Sequence, residues 1–208
     1  MISRFLLCLA LLIPATAPAQ SASPAPPPPL AKPPENVEWT VTIKGRTTRD
    51  PATDTPMGII RQQVRREGRL RRYLTTRFDG QQSTSWVIGD YLLYRLPGWR
   101  PGNYNLLSGE DEVARLYTRD FPGFEIVDPA HYTGKDRLDG RLVHRFESDG
   151  TTAWIDHPNG YPVRLQTPLE IRDYTFAAAP ATPLVLPDDI RASMARYEQL
   201  TPGLKFRP

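Results

Sequence analysis

The feature that most constrains this chain is a run of short strands separated by tight turns between residues 141 and 166. Apolar and polar residues alternate along three segments of this run, 141–147, 151–157 and 161–166. Asp149-Gly150 separates the first two, and this dipeptide readily takes the positive φ of a two-residue hairpin loop. A Pro-Asn-Gly turn ending at Gly160 separates the last two. The run predicts an antiparallel meander of half-buried strands.

The same alternation continues on both sides of the meander. Val37, Trp39, Val41 and Ile43 alternate with polar residues, which predicts a strand that ends at Gly45. Short turns then separate further predicted strands at 59–66, 70–78, 83–88 and 91–96, and a last strand is predicted at 169–176. Strands joined in sequence order by short links are typical of an up-and-down antiparallel sheet.

Two short motifs in the meander resemble a known family. Trp154-Ile155-Asp156, a turn ending at Gly160 and then Pro162-Val163-Arg164 are similar to a hairpin of the outer-membrane lipoprotein carrier (LolA/LolB-like) superfamily. The stretch from Tyr132 to Arg141, with Asp139-Gly140, is similar to the strand that precedes this hairpin. The resemblance is close over about a quarter of the chain. It implies a mainly β (α+β) fold, a curved antiparallel sheet forming an unclosed β-barrel, with one or two short helices or loops covering it.

The N-terminus predicts export. Arg4, an apolar run over 5–13 and Ala17-Pro18-Ala19 match a secretory signal peptide over residues 1–19. The nine-residue run is too short for a transmembrane helix and no other stretch approaches the length needed, so we expect a periplasmic or secreted protein that does not span the membrane. The only cysteine, Cys8, lies inside the signal, which excludes disulfides from the mature chain. Residues 20–36 are Pro-rich and predict an extended tether before one β domain at 37–208.

Two segments of the predicted domain depart from the strand pattern. Residues 110–118 suit either a two-turn helix with Ser108 as N-cap or one more strand, and 121–132 suit a loop or short helix over the sheet. Near the C-terminus, Asp188 or Asp189 is a candidate cap for a helix near 188–200, whose apolar residues recur at helical spacing.

Motifs for catalysis or metal binding are missing from the sequence. It contains no G-x-S-x-G, no H-E-x-x-H and no phosphate-binding Gly loop. Strand parity alone predicts that His131, His144 and His157 do not converge, so no metal site or cofactor is expected. Asp156 matches the family hairpin, and the resemblance implies a structural role for it in the Pro-Asn-Gly turn. We expect a non-enzymatic protein.

The resemblance implies a binding or carrier function for a hydrophobic ligand, such as a lipid or lipoprotein acyl chain, in the cell envelope. The concave face of an unclosed barrel would then hold the ligand. Core packing under a helix or loop explains the same apolar residues equally well. The candidate ligand-binding residues are Trp39, Val41, Ile43, Trp86, Ile88, Leu142, Phe146, Trp154, Tyr161 and Val163.

An alternative function is that of an envelope protein–protein interaction module. Arginines crowd the predicted strands between 61 and 77, and together with the Pro-rich tether they could contact a partner protein or an anionic surface. The candidates are Arg65, Arg69, Arg71 and Arg72. A solvated sheet face explains them as well. The formal net charge is only +3 and few aromatics lie among the arginines, so we expect no nucleic-acid binding.

Overall fold

The computed structural model of the chain describes residues 26–45, 48–49, 56–95, 99–100, 102–178 and 180–206. The predicted signal peptide at 1–19 lies outside the described residues, as does the first part of the predicted tether. None of the helices within these ranges combines the length and apolar character that crossing a membrane requires.

Nearly all the strands form one antiparallel sheet. The strands are β1 Asn36–Gly45, β2 Thr48–Arg49, β3 Pro56–Met57, β4 Ile59–Glu67, β5 Leu70–Arg77, β6 Gln82–Ile88, β7 Tyr91–Tyr94, β8 Asn105–Ser108, β9 Tyr132–Leu138, β10 Arg141–Ser148, β11 Thr151–Asp156, β12 Pro162–Gln166 and β13 Glu170–Ala177. Eleven of them pair in the order β8-β7-β6-β5-β4-β1-β13-β12-β11-β10-β9, while β2 pairs only with β3. The two edge strands, β8 and β9, do not pair with each other in the described part of the chain, so the sheet is not closed. This confirms the predicted fold class.

Strand β1 lies at the centre of the sheet. It pairs with β4 on one side and with β13, the last strand, on the other. Val37, Trp39 and Val41 are buried and alternate with more exposed residues, as the sequence pattern predicts. Two meanders therefore flank β1, one formed by β4 to β8 and the other by β9 to β13.

The hairpins follow from local turn chemistry. Asp149 and Gly150 have φ of 48° and 74°, and Asp139 and Gly140 have φ of 50° and 82°. Two successive positive φ angles define the type I′ turn, whose twist matches that of the flanking strands. The turn predicted at Asp149-Gly150 is confirmed. Pro162, which has no N–H to donate, lies beside a register shift in the pairing of β11 with β12.

Each face of the sheet carries its own apolar core. We call the face of Trp39 and Val41 the inner face, because the chain crosses it between β8 and β9. The inner core combines Trp39, Val64, Val87, Phe146 and Leu165 with residues of that crossing segment. The outer core covers only the β5–β8 end, where Leu70, Trp86, Ile88 and Leu93 pack against the C-terminal segment.

Within the residues that the structure describes, two α-helices and two 3-10 turns cover the sheet. Helix α1, Glu112–Thr118, and 3-10 turns at Phe124–Ile126 and Pro129–His131 belong to the segment that crosses the inner face. Of the two interpretations for 110–118, the helix is correct, but its N-cap residue is Asp111 rather than Ser108. The carboxylate of Asp111 accepts the Ser108 N–H at 2.9 Å.

Helix α2, Asp188–Leu200, lies on the outer core through Ile190, Met194 and Tyr197. The predicted C-terminal helix is confirmed. Pro187 is its N-cap residue, so Asp188 and Asp189 lie in the first turn instead of capping the helix. Their charge there suits the positive end of the helix dipole.

Candidate functional site

The crossing segment is held at the C-terminal end of α1 by residues of the inner face. Arg71 donates to the carbonyl oxygens of Tyr117 and Thr118 at 3.1 and 2.6 Å, and the Tyr73 hydroxyl donates to that of Tyr117 at 2.6 Å. The Asp120 carboxylate lies between Arg66, at 3.0 Å, and Arg71, at 2.7 Å. The Arg71 guanidinium and the Tyr73 hydroxyl thus satisfy the last carbonyls of the helix, where its dipole favours positive charge.

An aromatic cluster anchors the segment after α1. The Phe121 ring lies 5.7 Å from Trp39, 6.2 Å from Tyr174 and 5.9 Å from Phe176, centroid to centroid, in edge-on arrangements. Phe124 adds an edge-on contact of 5.3 Å with Tyr174. Edge-on aromatic pairs stabilise beyond the area that they bury.

Between the α1 attachment and this cluster, the segment leaves a cleft against the sheet. Its volume is about 330 Å³. The floor consists of inner-face residues from four adjacent strands, namely Val41, Ile43, Val64, Tyr73 and Tyr174. Leu116 and Tyr117 of α1 also line the cleft, together with the polar Gln62 and the charged Asp120, Glu170 and Arg172. The lining is mainly apolar with a few polar and charged side chains, which is the usual composition of a small-molecule site.

Each charged side chain that lines the cleft contacts a group of opposite charge. Arg172 contacts the Glu170 carboxylate and donates to the Pro122 carbonyl oxygen at 3.4 Å, while Asp120 has the two arginine partners described above. Burial raises the pKa of Tyr73 and of Tyr174 to about 12, so both phenols stay neutral at physiological pH. The cleft therefore presents no unpaired carboxylate of its own to a ligand.

The ten predicted ligand-binding residues do not share one face of the sheet. Register pairing places Trp86, Ile88 and Trp154 on the outer face, where the first two belong to the outer core. Trp39 and Phe146 are buried on the inner face, and Tyr161 stacks on Phe176 at 4.9 Å. Leu142 is exposed, and Val163 lies at the register shift of β12.

Only Val41 and Ile43 of the ten predicted residues line the cleft. Their ligand role stays a prediction. Sequence reasoning missed Tyr73, Tyr174 and the α1 residues Leu116 and Tyr117. Tyr174 and Phe176 share one face of a predicted strand, so the alternation in sequence could have identified Tyr174 as an inner-face residue. Nothing local in the sequence indicates that α1 faces the sheet.

The four predicted interaction arginines are spread over both faces. Arg71 points inward and is bound to the crossing segment. Arg65 is buried on the outer face and donates to the Thr182 carbonyl oxygen, and Arg72 is half-buried beside it. Arg69 lies in the turn after β4, 3.6 Å from Asp90. Because neighbours along a strand point to opposite faces, the four do not form one surface patch.

A histidine pair forms at the β9–β11 end of the inner face, which strand parity alone did not predict. His157 Nδ1 lies 2.6 Å from His144 Nε2, and His144 Nδ1 lies 3.0 Å from the Tyr132 hydroxyl. The pair forms because the register places His144 opposite Ile155. His157, two residues further, therefore faces the same way. Within the described ranges, no three His, Cys, Asp or Glu side chains group as metal ligands.

Asp156 has the structural role implied by the sequence resemblance. It is buried, and its carboxylate accepts from Arg141 Nε at 2.6 Å and Asn159 Nδ2 at 2.9 Å. Its backbone carbonyl accepts the Gly160 N–H at 2.9 Å. These bonds fix the Pro-Asn-Gly turn. Asp156 faces outward and His157 inward, so the two do not form an acid–imidazole relay.

Comparison with known structures gives remote similarities, among them these two. One is to the lipoprotein LppX of Mycobacterium tuberculosis, with 14% identity, a TM-score of 0.43 and coverage of 73% of this chain and 89% of that one. The other is to a LolA superfamily protein from Nitrosomonas europaea, with 12% identity, a TM-score of 0.33 and coverage of 77% and 91%. No family model and no curated protein matches the chain. Both TM-scores are low, so the fold rests on the strand order described above.

Proposed function

We propose that this protein is a non-enzymatic binding or carrier protein for a hydrophobic ligand, which it holds in the cleft beneath α1. The observation that carries the proposal is the cleft itself. Four adjacent strands supply an apolar floor, while the covering helix is short and buries only Ala114 completely. A filled core would leave no such slot, because protein interiors pack at the density of organic crystals.

The size of the cleft favours a ligand with one acyl chain. Its volume of about 330 Å³ lies at the lower end of the range of ligand pockets, about 300–1,000 Å³. A lipoprotein that carries several acyl chains would need more room than the cleft provides in this conformation. A single-chain lipid is therefore the ligand class that we propose.

The predicted signal peptide at 1–19 supports a location in the cell envelope or outside the cell, where such lipids are available. We propose that the mature protein works there. Mass spectrometry of the protein recovered from an exporting host checks this point, since a mature mass that begins near residue 20 is expected.

The binding proposal is tested with a fluorescent fatty acid titrated into the purified mature protein. We expect saturable binding that weakens at least tenfold, about 1.4 kcal/mol, in an Ile43→Trp variant, because the indole fills the cleft. Thr42→Trp is the matched control: it adds the same side chain one position away, on the exposed outer face. Absence of saturable binding to the wild type, or equal weakening in both variants, would contradict the proposal.

A further inference from the structure

A second, smaller pocket adjoins the cleft on the other side of Tyr117. Its volume is about 190 Å³, and Ile59 and Tyr117 line both spaces. The pocket lies at the end of the inner face where β5 and β7 terminate, and Val113 of α1 closes one side. A ligand in the cleft that extends past Tyr117 therefore enters this pocket.

The lining of the second pocket differs chemically from that of the cleft. Three hydroxyl side chains project from the inner faces of β5 and β6, namely those of Thr75, Ser83 and Ser85. Tyr94 contributes a fourth. Arg77, at the end of β5, brings a guanidinium group, and Arg95, just after β7, also contributes to the lining. The lining of the cleft is thus mainly apolar, whereas the pocket next to it carries hydroxyl donors and positive charge.

Thr75 gives an independent indication of a ligand. Its residue is only 4% exposed, and its hydroxyl has no hydrogen-bond partner among the residues that the structure describes. Buried polar groups are nearly always paired, because an unpaired hydroxyl away from water destabilises the fold. Here the unpaired hydroxyl belongs to the lining of a pocket, where an acceptor on a ligand can reach it.

Arg77 adds positive charge at the junction of the pocket and the cleft. Arg77 is opposite Ile59 in the β4–β5 pairing, so its strand position directs it to the junction of the two spaces. Its positive charge acts on the Tyr117 phenol, whose pKa burial raises and Arg77 partly lowers. Arg95 contributes less charge to the pocket, because its Cζ lies 5.8 Å from the ring centroid of Tyr104, a residue of the outer core.

We infer that this second pocket binds the anionic head group of an amphiphile, a carboxylate or phosphate, whose acyl chain occupies the neighbouring cleft. The inference rests on the proposed function and adds the ligand's charge and orientation to it. Arginine donates paired hydrogen bonds to the oxygens of either anion, and the hydroxyls supply further donors. A neutral head group would gain no charge-assisted hydrogen bond from Arg77, so the pocket discriminates by charge.

The test compares three ligands with the same dodecyl chain: dodecanoate, dodecyl phosphate and dodecanol. Each displaces a fluorescent probe from the mature protein, at low and at physiological salt. We expect the anions to bind at least tenfold more tightly than dodecanol. The tighter of the two anions identifies the head group as carboxylate or phosphate.

Two substitutions locate the effect in the pocket. Arg77→Gln and Thr75→Val are expected to reduce the preference for anions severalfold and to leave dodecanol binding unchanged, because they do not touch the cleft. Arg61→Gln and Thr76→Val are the controls, since these residues lie opposite each other on the outer face of β4 and β5. The Thr75→Val variant should also melt higher without ligand, because it removes an unpaired buried hydroxyl.

The outcomes separate this inference from the function on which it rests. Equal binding of all three ligands, unaffected by Arg77→Gln and Thr75→Val, overturns the head-group site and leaves the hydrophobic-ligand proposal standing. A preference for anions that Arg61→Gln reduces as much as Arg77→Gln also overturns it, because the charge effect is then general. Failure of all three ligands to bind overturns both.

Discussion

The His144–His157 contact makes the fold sensitive to proton uptake at one residue. Burial, the neighbouring His157 and the positive charge of Lys135 together lower the pKa of His144 below its ordinary value. The Tyr132 hydroxyl is hydrogen-bonded to His144 Nδ1, and His157, in the turn after β11, contacts His144 Nε2. Both rings are therefore best accommodated when His144 is neutral.

This pairing predicts that stability falls as the pH drops below about 6.5, the pKa of histidine in an unfolded chain. Between that value and the lower folded-state pKa, the unfolded chain binds a proton that the folded protein does not. The stabilisation is complete above this window and is lost progressively on acidification, by at most about 1.4 kcal/mol per pH unit for one group. Urea unfolding at pH 7.5, 6.5 and 5.5 measures the effect.

The control for this titration is the third histidine. A His144→Gln variant should show a shallower dependence of unfolding free energy on pH over the same interval, whereas His131→Gln should retain the wild-type slope. His131 lies in a 3-10 turn outside the pair. The interpretation would be wrong if His144→Gln kept the full slope.

At the scale of elements, α1 depends on the sheet more than on itself. It has seven residues, too few for an isolated helix to be stable in water, and only Ala114 is fully buried. Its C-terminal carbonyls are instead held by Arg71 and Tyr73 of β5. The segment that covers the cleft is thus attached to the sheet at two points. Hydrogen bonds hold the C-terminal end of α1, and the aromatic contacts of Phe121 hold the chain just after it.

Removing the Arg71 guanidinium should release α1 without unfolding the sheet. An Arg71→Gln variant loses the charged bonds to two helix carbonyls and to Asp120, an expected cost of about 1–3 kcal/mol. We expect faster amide hydrogen exchange over 112–118 while exchange in β10 and β11 stays slow. Arg72→Gln, which changes the adjacent outward-facing residue, should leave α1 protected. Uniform acceleration across the chain would indicate general destabilisation instead.

Strand positions and tight turns were predictable because alternation and Asp-Gly chemistry are local properties. Register and crossing segments were not, since they depend on partners far away in sequence. Strand β6 illustrates this: Trp86, Val87 and Ile88 are all buried, because α1 covers one face and α2 the other. Its sequence alone does not say which of these residues face the cleft, and the histidine pair was missed for the same reason.

At the scale of the whole molecule, the Pro-rich segment before β1 contacts the β-domain. Residues 26–34 form no helix or strand, yet Leu30 packs against the inner core and Pro33 is buried. The Ala31 N–H donates to the Gly160 carbonyl oxygen at 2.9 Å. The contact joins the segment that precedes the first strand to the turn fixed by Asp156, near the opposite end of the chain.

Gly160 makes this contact testable, because a methyl group there would lie 2.8 Å from the Pro29 carbonyl oxygen. Gly160→Ala also forces alanine into a φ of +67°, and Gly140→Ala is the matched control, with a φ of +82° and no neighbour within 4 Å. We expect the control to lose only the backbone cost, about 1–2 kcal/mol. Gly160→Ala should lose more and speed hydrogen exchange at the Ala31 amide, measured by NMR. Equal losses, with Ala31 exchange unchanged, would show that the segment does not depend on this turn.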